Sequence, residues 1–238
     1  MISIIIPTLN EEKYLLLLLK EIKKQTFKDF EIIIADGGSV DRTVEIAENF
    51  ACRIIFVSNT SPAKGRNEGA KIAKGDIFLF LDADNLYLPG DFFKKLSEEF
   101  KKRNLGVASF PIYPKGNRFD KFAYFLYNFW AKLTQRFLAY ATNAVLVKKE
   151  IHQKIGGFDG KIKIGEDHDY ARRAKRFGKF GFIETKPVLT SIRRFERDGR
   201  FKTYLKYILA GIHMLFLGPV KSDIFKYRYN HYGRTTKN

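Results

Sequence analysis

The sequence predicts an α/β fold with a mixed, mostly parallel sheet that is flanked by helices and followed by a C-terminal helical extension. Short runs of β-branched and aromatic residues alternate with helical stretches through the first third of the chain. The short runs are almost continuously apolar, which is typical of strands that helices cover on both faces. Polar residues directly follow three of these runs, at the edge where such sheets bind their ligands.

Four strands are predicted from the apolar runs. The first, residues 2–6, is a nearly unbroken run of isoleucine that Pro7 ends. The second, residues 30–35, ends at an Asp-Gly-Gly turn, and the third covers residues 53–57. The fourth, residues 76–81, has large apolar side chains and leads into an Asp-Ala-Asp sequence.

Three helices are predicted between these strands. The stretch at 13–24 contains a leucine run that suits the buried flank of a helix. Residues 41–50 and 66–74 are the other two helical stretches. A helix between successive strands returns the chain to the same end of the sheet, so the strands are expected to run parallel.

The second half of the chain contains an aromatic stretch. Residues 119–137 carry Phe, Tyr or Trp at eight positions, interleaved with Lys121, Lys132 and Arg136. This pattern predicts an amphipathic helix packed on the sheet. Alternatively, the stretch could wall an acceptor site or touch lipid headgroups, where aromatic and basic residues are favoured.

Polar residues mark the ends of three predicted strands. Thr8 and Asn10 follow the first strand, Asp36 follows the second, and Asp82 and Asp84 follow the fourth. Because the carboxyl ends of parallel strands share one edge, we expect these residues to converge on one crevice. Asp82 and Asp84 share a face of an extended chain, and a hard cation such as Mg²⁺ would relieve their repulsion. A metal site is therefore predicted, with an acidic turn after a strand as the alternative.

The formal net charge of +17 is the strongest feature of the composition. It admits three partners: nucleic acid, an anionic membrane surface or a phosphorylated substrate. Residues 190–238 contain eleven Lys or Arg and three acids, so the charge is concentrated there. Residues 207–219 are largely apolar but shorter than the roughly 20 residues of a spanning helix, so they either cap the core or lie in a membrane interface beside lysines.

The cysteine content and the first residues bear on the compartment. The single cysteine, Cys52, excludes an intramolecular disulfide and fits a reducing environment. The first residues have the pattern of a strand and lack the basic leader of a signal peptide, so export is not supported. We expect a cytoplasmic protein, with peripheral attachment to the inner face of the membrane as a further expectation.

Several common enzyme classes lack their signatures here. No G-x-G-x-x-G follows the first strand and no G-x-x-x-x-G-K-[ST] occurs, which disfavours dinucleotide dehydrogenases and P-loop enzymes. No His/Cys cluster supports zinc, so His168 is expected to be a bystander.

Six sequence motifs occur in order between residues 4 and 173. They are IIIPTLNEE at 4–12, ADGGSVDRT at 35–43, GRNEGA at 65–70, LDAD at 81–84, GGFD at 156–159 and GEDHDYARR at 165–173. As an ordered set they resemble the motifs of the family 2 glycosyltransferases. The resemblance implies the GT-A fold and the transfer of a sugar from a nucleoside diphosphate donor with inversion.

The resemblance also implies a nucleotide site. Such enzymes hold the nucleoside with the first loop, bind the base through an acid after the second strand, and reach the base or phosphates with an arginine, whose planar charged group suits both tasks. The matching residues here are Pro7, Thr8, Asn10, Glu11, Asp36, Arg66 and Asp82. The usual second acid after the second strand is replaced by Gly37, so its role is missing or supplied elsewhere.

A metal ion and a catalytic base follow from the same resemblance. Asp82 and Asp84 match the metal-binding pair, with Asp84 as the expected direct ligand of Mg²⁺ or Mn²⁺, which would neutralise the departing nucleoside diphosphate. Glu166 and Asp167 match the pair that holds the base, and Asp167 is the expected base because an ordinary Asp, with a pKa of about 3.9, is ionised at neutral pH. The alternative is that these acids merely begin a helix.

Two arginines beyond this pair are further candidates. Arg193 and Arg194 stand where many relatives place cations near the donor diphosphate, and at most one of them is expected to act on the diphosphate or the acceptor. Solvated surface charge is the alternative interpretation.

We therefore expect residues 1–190 to form the GT-A domain, with a nucleotide-binding half at 1–110 and an acceptor and catalytic-base half at 111–190. Residues 191–238 are expected to form the basic, partly apolar helical extension. The predicted activity is inverting, metal-dependent transfer of one sugar from a UDP- or GDP-sugar to a hydroxyl or lipid-phosphate acceptor, which is either a saccharide or lipid-linked.

Two alternatives to this function are a nucleotidyltransferase of similar fold and a basic nucleic-acid-binding protein. The first would normally have a Gly-rich phosphate loop after the first strand, which is missing here. The second is disfavoured because acids at the sheet edge would repel a phosphate backbone unless a cation intervened.

Overall fold

The computed structural model describes residues 1–58, 61–142 and 144–227, so residues 228–238 of the predicted extension lie outside the described residues. The strands are β1 (Ile2–Thr8), β2 (Phe30–Asp36), β3 (Arg53–Phe56), β4 (Ile77–Leu81), β5 (Asn85–Tyr87), β6 (Val107–Ser109), β7 (Ile112–Pro114), β8 (Ala144–Lys148), β9 (Phe180–Phe182) and β10 (Val188–Thr190). The helices are α1 (Glu12–Lys23), α2 (Thr43–Asn49), α3 (Pro62–Ile72), α4 (Phe92–Lys102), α5 (Arg118–Thr134), α6 (Lys149–Lys154), α7 (Glu166–Lys175), α8 (Arg193–Asp198) and α9 (Arg200–Phe216).

The main sheet has seven strands in the order β3-β2-β1-β4-β8-β6-β9. β1 lies between the parallel strands β2 and β4, and the pairs β2–β3 and β6–β9 are also parallel. β8 runs antiparallel to both of its neighbours, β4 and β6. The mostly parallel sheet predicted from the sequence is therefore confirmed.

Helices cover both faces of this sheet. On one face, Ile4 and Ile6 of β1 belong to the same core as Leu15 of α1. On the other face, Ile5 belongs to a second core together with Ala70 of α3. Successive side chains of a strand point to opposite faces, so a strand buried on both sides needs apolar residues at every position. This explains the isoleucine run of β1.

A second sheet consists of three short strands in the order β5-β10-β7. β5 begins directly after Asp84, and the Ser191 N–H donates a hydrogen bond to the Asp84 carbonyl oxygen at 3.0 Å. This pairing brings the chain that follows β10, including the start of α8, to the carboxyl end of β4.

The start of α5 is joined to the start of α9 by a buried carboxylate. Asn117 and Asp120 form a capping box in which each side chain accepts a hydrogen bond from the other residue's backbone N–H. The Asp120 carboxylate also accepts hydrogen bonds from Arg200 Nε at 3.2 Å and from the Tyr204 hydroxyl at 3.0 Å. The helical extension is thereby fastened to the rest of the fold.

The structure differs from the sequence-based elements in two respects. α3 begins at Pro62, before the predicted residue 66, because proline suits the first turn of a helix. The predicted aromatic helix forms as α5, but only one face is buried and the opposite apolar face is exposed. Among the described residues, none of the helices is long and apolar enough to cross a bilayer.

Gly69 lies where α3 packs against β1, and a Cβ atom there would approach Cγ2 of the buried Ile5 to 2.5 Å. We expect Gly69→Ala to lower the free energy of unfolding by about 1 to 3 kcal/mol, because overpacking outweighs the gain in helix propensity. Gly211 of α9 is the matched control, since a Cβ atom there would meet no other group within 4 Å. Gly211→Ala should raise the free energy of unfolding by about 0.5 to 1 kcal/mol. Urea unfolding measures both, and a Gly69→Ala protein as stable as the wild type would contradict the close α3–β1 contact.

Candidate active site

A cavity of about 180 Å³ opens at the carboxyl ends of β1, β2 and β4. The predicted site residues that line it are Pro7, Thr8, Glu11, Arg66, Asp82, Asp84, Glu166, Arg193 and Arg194. These residues come from the end of β1, from the loops after β1 and β4, from α3, from the start of α7 and from α8. The cavity therefore combines residues from both halves of the predicted domain with residues of the predicted extension.

Arg66 is the buried centre of one wall. Its Nη2 lies 2.7 Å from Asp82 Oδ1, and its Nη1 lies 2.9 Å from Glu166 Oε1. The guanidinium also lies over the Phe158 ring, 5.1 Å from the ring centroid. Burial opposes the charge of Arg66, but the two carboxylates more than compensate, so its pKa is raised. Arg66 thus joins the end of β4 to the start of α7.

Asn67 holds the Phe158 backbone in place beneath Arg66. The Asn67 amide nitrogen donates to the Phe158 carbonyl oxygen at 2.9 Å, and the Asn67 Oδ1 accepts from the Phe158 N–H at 2.8 Å. The Phe158 ring stacks on Tyr170 of α7, with the ring centroids 3.9 Å apart. Two sequence motifs, GRNEGA and GGFD, are therefore one structural unit under the cavity.

Arg193 forms the opposite wall. Its two terminal nitrogens bind both oxygens of the Glu11 carboxylate, at 2.7 and 2.5 Å, and its Nε lies 3.7 Å from Asp84 Oδ2. The guanidinium lies over the Tyr14 ring of α1, at 4.3 Å from the ring centroid. This pairing connects the first loop of the chain to the start of α8.

The two acids beside Arg193 are unusually basic. Burial raises the pKa of Glu11 to about 7, although Arg193 opposes the shift. Burial likewise raises the pKa of Asp84 to about 6, again against the opposing charge of Arg193. Additional positive charge at this position would therefore stabilise the ionised forms of both groups.

Asp167 is half-buried at the start of α7, next to Glu166, and does not line the cavity itself. Its Oδ1 accepts a hydrogen bond from the His168 backbone N–H at 2.8 Å. Burial, followed by the charge of Glu166, raises the pKa of the Asp167 carboxyl well above its ordinary value. The carboxyl therefore gains a proton more readily than a solvated aspartate does.

Asp36 and Asn10 are bound within the first two loops and do not line the cavity. The buried Asp36 carboxylate accepts hydrogen bonds from Thr8 Oγ1, from the Gly38 and Ser39 N–H groups, and from the Ser39 hydroxyl, at 2.6 to 3.0 Å. Asn10 has a positive φ of 54°, and its Oδ1 accepts from the Val40 N–H at 2.9 Å. In this arrangement both side chains fix the loops that surround the cavity.

Arg194 and Tyr227 complete the rim. Arg194 lies over the Tyr227 ring at 4.4 Å from the centroid, and both residues line the cavity. Both adjacent arginines therefore reach the site, whereas the sequence analysis expected at most one to act there. Tyr14 and Tyr227 have no local sequence signal that marks them as site residues, whereas Asn67 and Phe158 lie within the GRNEGA and GGFD motifs.

The donor atoms available for a cation are carboxylate oxygens. Asp82 and Asp84 both line the cavity, and oxygen ligands suit Mg²⁺ or Mn²⁺. Across the described ranges, no group of three or more His, Cys, Asp or Glu side chains is arranged to hold a metal ion. The aspartate pair therefore fits an ion that takes its other ligands from phosphate oxygens and water.

Comparison with known proteins identifies named relatives. An uncharacterized glycosyltransferase of Haemophilus influenzae is 29% identical over 179 residues, which is 71% of this chain and 60% of the relative. The glycosyltransferase EpsJ of Bacillus subtilis is 32% identical over 122 residues, which is 49% of this chain and 35% of EpsJ. The chain thus spans between about a third and three fifths of the length of these relatives.

Solved structures show the same fold at low sequence identity. Staphylococcus aureus TarS, residues 1–349, in complex with UDP has a TM-score of 0.66 at 20% identity, and the match covers 80% of this chain and 60% of TarS. A mannosyltransferase from Pyrobaculum calidifontis has a TM-score of 0.61 at 19% identity, with 80% and 56% covered. The GT-A fold expected from the sequence is therefore confirmed.

The family profile described as "Glycosyl transferase family 2" matches residues 3–158. The matched region includes β1, α3 with Arg66, the Asp82–Asp84 pair and the GGFD segment with Phe158. Because the match covers about two thirds of the chain, the protein belongs to glycosyl transferase family 2 and has the GT-A fold.

Proposed function

We propose that this protein is a glycosyltransferase that moves one sugar from a UDP- or GDP-sugar to a hydroxyl or lipid-phosphate acceptor, with inversion and with the help of Mg²⁺ or Mn²⁺. The observation that carries the proposal is the convergence of Asp82, Asp84, Arg66 and Arg193 on one cavity beside the start of α7. Cationic and metal-binding groups are what a departing nucleoside diphosphate requires.

The names of the structural neighbours support this class of donor. Structures of TarS are described with UDP and with UDP-GlcNAc. The Pyrobaculum mannosyltransferase is described with GDP-Man and Mn²⁺, and a mycobacterial glucosyl-3-phosphoglycerate synthase with Mn²⁺ and UDP. For this chain, UDP- and GDP-sugars are accordingly the first donors to test.

The residues of the nucleotide side have distinct proposed tasks. Pro7, Thr8 and Glu11 line the part of the cavity next to β1 and would border the nucleoside. Asp36 and Asn10 would hold the loops around it, through the hydrogen bonds they make to residues 38–40. The proposed contact between Asp36 and the base requires that the carboxylate exchange one of its present donors for a ring N–H.

The diphosphate side combines aspartates with arginines. Asp84, with Asp82, would hold the divalent ion, which when bound would neutralise charge on the departing diphosphate. Arg193 and Arg194 line the same cavity and offer permanent positive charge. Arg193 would orient Glu11 and Asp84 and favour their ionised forms against the effect of burial, because its guanidinium faces both carboxylates.

Asp167 is the proposed general base. An inverting transfer needs a base that takes the proton from the attacking hydroxyl while the new bond forms at the anomeric carbon and the bond to the diphosphate breaks. Glu166 is held by Arg66, so the first turn of α7 is fixed beside the cavity. A raised pKa suits this role, since a base works best when its pKa lies near the working pH.

The acceptor is proposed to be a saccharide or a lipid-linked molecule, used at the cytoplasmic face of a membrane to which the protein attaches peripherally. The exposed apolar and basic residues of the second half support this part of the proposal. A nucleic-acid partner is disfavoured, because carboxylates line the cavity and would repel a phosphate backbone.

A thermal-shift panel of UDP-, GDP-, CDP- and dTDP-sugars with and without Mn²⁺ tests the donor class. At a donor concentration about one hundred times Kd, binding should stabilise the folded state by about 2.7 kcal/mol and raise Tm by about 5 to 10 °C. Asp84→Asn should abolish the Mn²⁺-dependent part of the shift. Asp91→Asn is the control, because Asp91 only pairs with Lys186 outside the cavity. Metal-dependent stabilisation by none of the donors would refute the proposal.

Substitution of the proposed base tests the chemistry separately. Asp167→Asn should lower kcat by about 10² to 10⁴-fold, because the hydroxyl loses its proton acceptor, while donor binding stays at the wild-type level. Asp169→Asn, in the same helical turn, weakens one of several hydrogen bonds of Arg173 and should change kcat much less. Equal losses in the two variants would argue for a structural role of the α7 start.

The pH dependence of kcat/KM gives an independent check on Asp167. Its raised pKa means that the base gains a proton as the pH falls through that value, so activity is lost on the acid side. The midpoint of this loss should lie above the ordinary aspartate pKa of about 3.9. Glu166→Gln removes a neighbouring negative charge and should move the midpoint to lower pH. A midpoint that does not respond to Glu166→Gln would mean that another group titrates.

A further inference from the structure

The face of α5 that points away from the core is apolar and exposed. Large side chains at helical spacing occupy it, among them Phe119, Phe122, Phe125, Phe129, Trp130 and Leu133. Phe125 is 61% exposed, Phe129 is 56% exposed and Trp130 is 51% exposed. The opposite face carries the buried Asn128 and Ala131. Such a surface is costly in water, so its exposed apolar side chains point to a partner.

The outer face of α9 repeats this arrangement. Its exposed apolar side chains, spaced three or four residues apart, include Phe201, Leu205, Ile208, Ile212, Leu215 and Phe216. Thr203, Ala210 and Met214 lie on the buried side. The largely apolar stretch at 207–219 therefore covers the C-terminal part of α9 and the residues directly after it, with Ala210 and Met214 packed and Ile208 and Ile212 exposed.

The two apolar faces belong to helices that contact each other at their N-terminal ends. The Phe119 and Tyr204 rings lie edge to face with centroids 5.3 Å apart, and Asp120 binds both Arg200 and Tyr204. We call the exposed apolar residues of the two helices the α5–α9 face. Each helix has 17 residues, and neither can span a bilayer.

The charged residues of the two helices themselves are almost all positive. α5 contains one acid, Asp120, which is buried and paired, and α9 contains none. Lys121 lies on the flank of α5, and Lys202 and Lys206 lie on one flank of α9. Basic side chains beside an apolar, aromatic helix face are the arrangement of helices that lie in the interface of an anionic bilayer.

We propose that the α5–α9 face docks the protein onto the surface of an anionic lipid bilayer, with the aromatic side chains among the headgroups. This docking proposal names the surface for the peripheral membrane attachment that is part of the proposed function. It rests on that attachment and is independent of the donor chemistry. A second copy of the chain is the less suitable occupant, because joining two such faces would bring lysines of the same sign together.

Docking through this face has a consequence for the acceptor. α9 begins directly after α8, and Arg193 at the start of α8 lines the cavity. The helix that would lie on the bilayer is therefore joined to a cavity-lining residue by the few residues of α8 and Gly199. A lipid-linked acceptor is the kind of acceptor that such docking would favour.

Trp130 provides a direct probe, because it is the sole tryptophan of the sequence and lies on the proposed face. Full-length protein is mixed with phosphatidylcholine vesicles that contain or lack phosphatidylglycerol. We expect co-sedimentation with the anionic vesicles, a shift of Trp130 emission to shorter wavelength, and quenching by brominated lipid. High salt should weaken binding, because part of the attraction is electrostatic.

Two double phenylalanine variants distinguish binding through this face from nonspecific hydrophobic adsorption to vesicles. Phe125→Ser with Phe129→Ser should weaken binding to anionic vesicles by about tenfold or more, since affinity scales with the apolar area inserted. The matched control is Phe56→Ser with Phe177→Ser, at positions that are 70% and 54% exposed on β3 and after α7. The control should retain binding within about twofold of the wild type.

Several outcomes would overturn the proposal. The first is an absence of binding to anionic vesicles, and the second is an equal loss of vesicle binding in the two double variants. The third is a Trp130 emission shift that depends on protein concentration in the absence of lipid and accompanies dimer formation in sedimentation velocity. The UDP- and GDP-sugar thermal shift is measured on the same proteins. Vesicle binding without a rise of Tm on addition of a donor would refute the donor proposal alone. A rise of Tm without vesicle binding would refute the docking proposal alone.

Discussion

The site depends on the neutralisation of one buried guanidinium. Arginine keeps its charge at any physiological pH, and Arg66 is almost inaccessible to water, so it needs acids within hydrogen-bond distance. Asp82 at the end of β4 and Glu166 at the start of α7 supply them. Removal of either acid would leave one side of the guanidinium without its hydrogen-bond acceptor, at a buried position. The two ion pairs connect the end of β4 to the start of α7, beside the proposed base.

The edge of the sheet that borders the cavity could be predicted because its sequence signals are local. An unbroken apolar run predicts a buried strand, and an acid directly after it must lie at the edge of the sheet, which is how Asp82 and Asp84 were found. Asp36 also follows this rule, but its carboxylate accepts most of its hydrogen bonds from the turn after β2, where the Gly38 and Ser39 N–H groups point to it. Sequence pattern reveals where a carboxylate stands along the chain, and not which donors surround it.

The second half was less predictable for a different reason. β5, β7 and β10 have three residues each, too few to show the alternation that marks a strand, and they exist because they pair with one another. That pairing carries α8 to the cavity, so the place of Arg193 beside Glu11 depends on contacts between distant segments. The exposed aromatic side of α5 also has no local signal, because an aromatic helix buried on one face and one buried on both have similar sequences.

The Glu11–Arg193 pair also affects when the site is completed during synthesis. The first loop leaves the ribosome early, but Arg193, which pairs with Glu11, is 182 residues further along the chain and is translated much later. Contacts between such distant residues form slowly, because a long loop must close before they are made. The first strands of the main sheet can begin to pair before the Glu11–Arg193 contact has formed. The cavity of a nascent chain is therefore complete only after Arg193 has been translated, late in the described part of the chain.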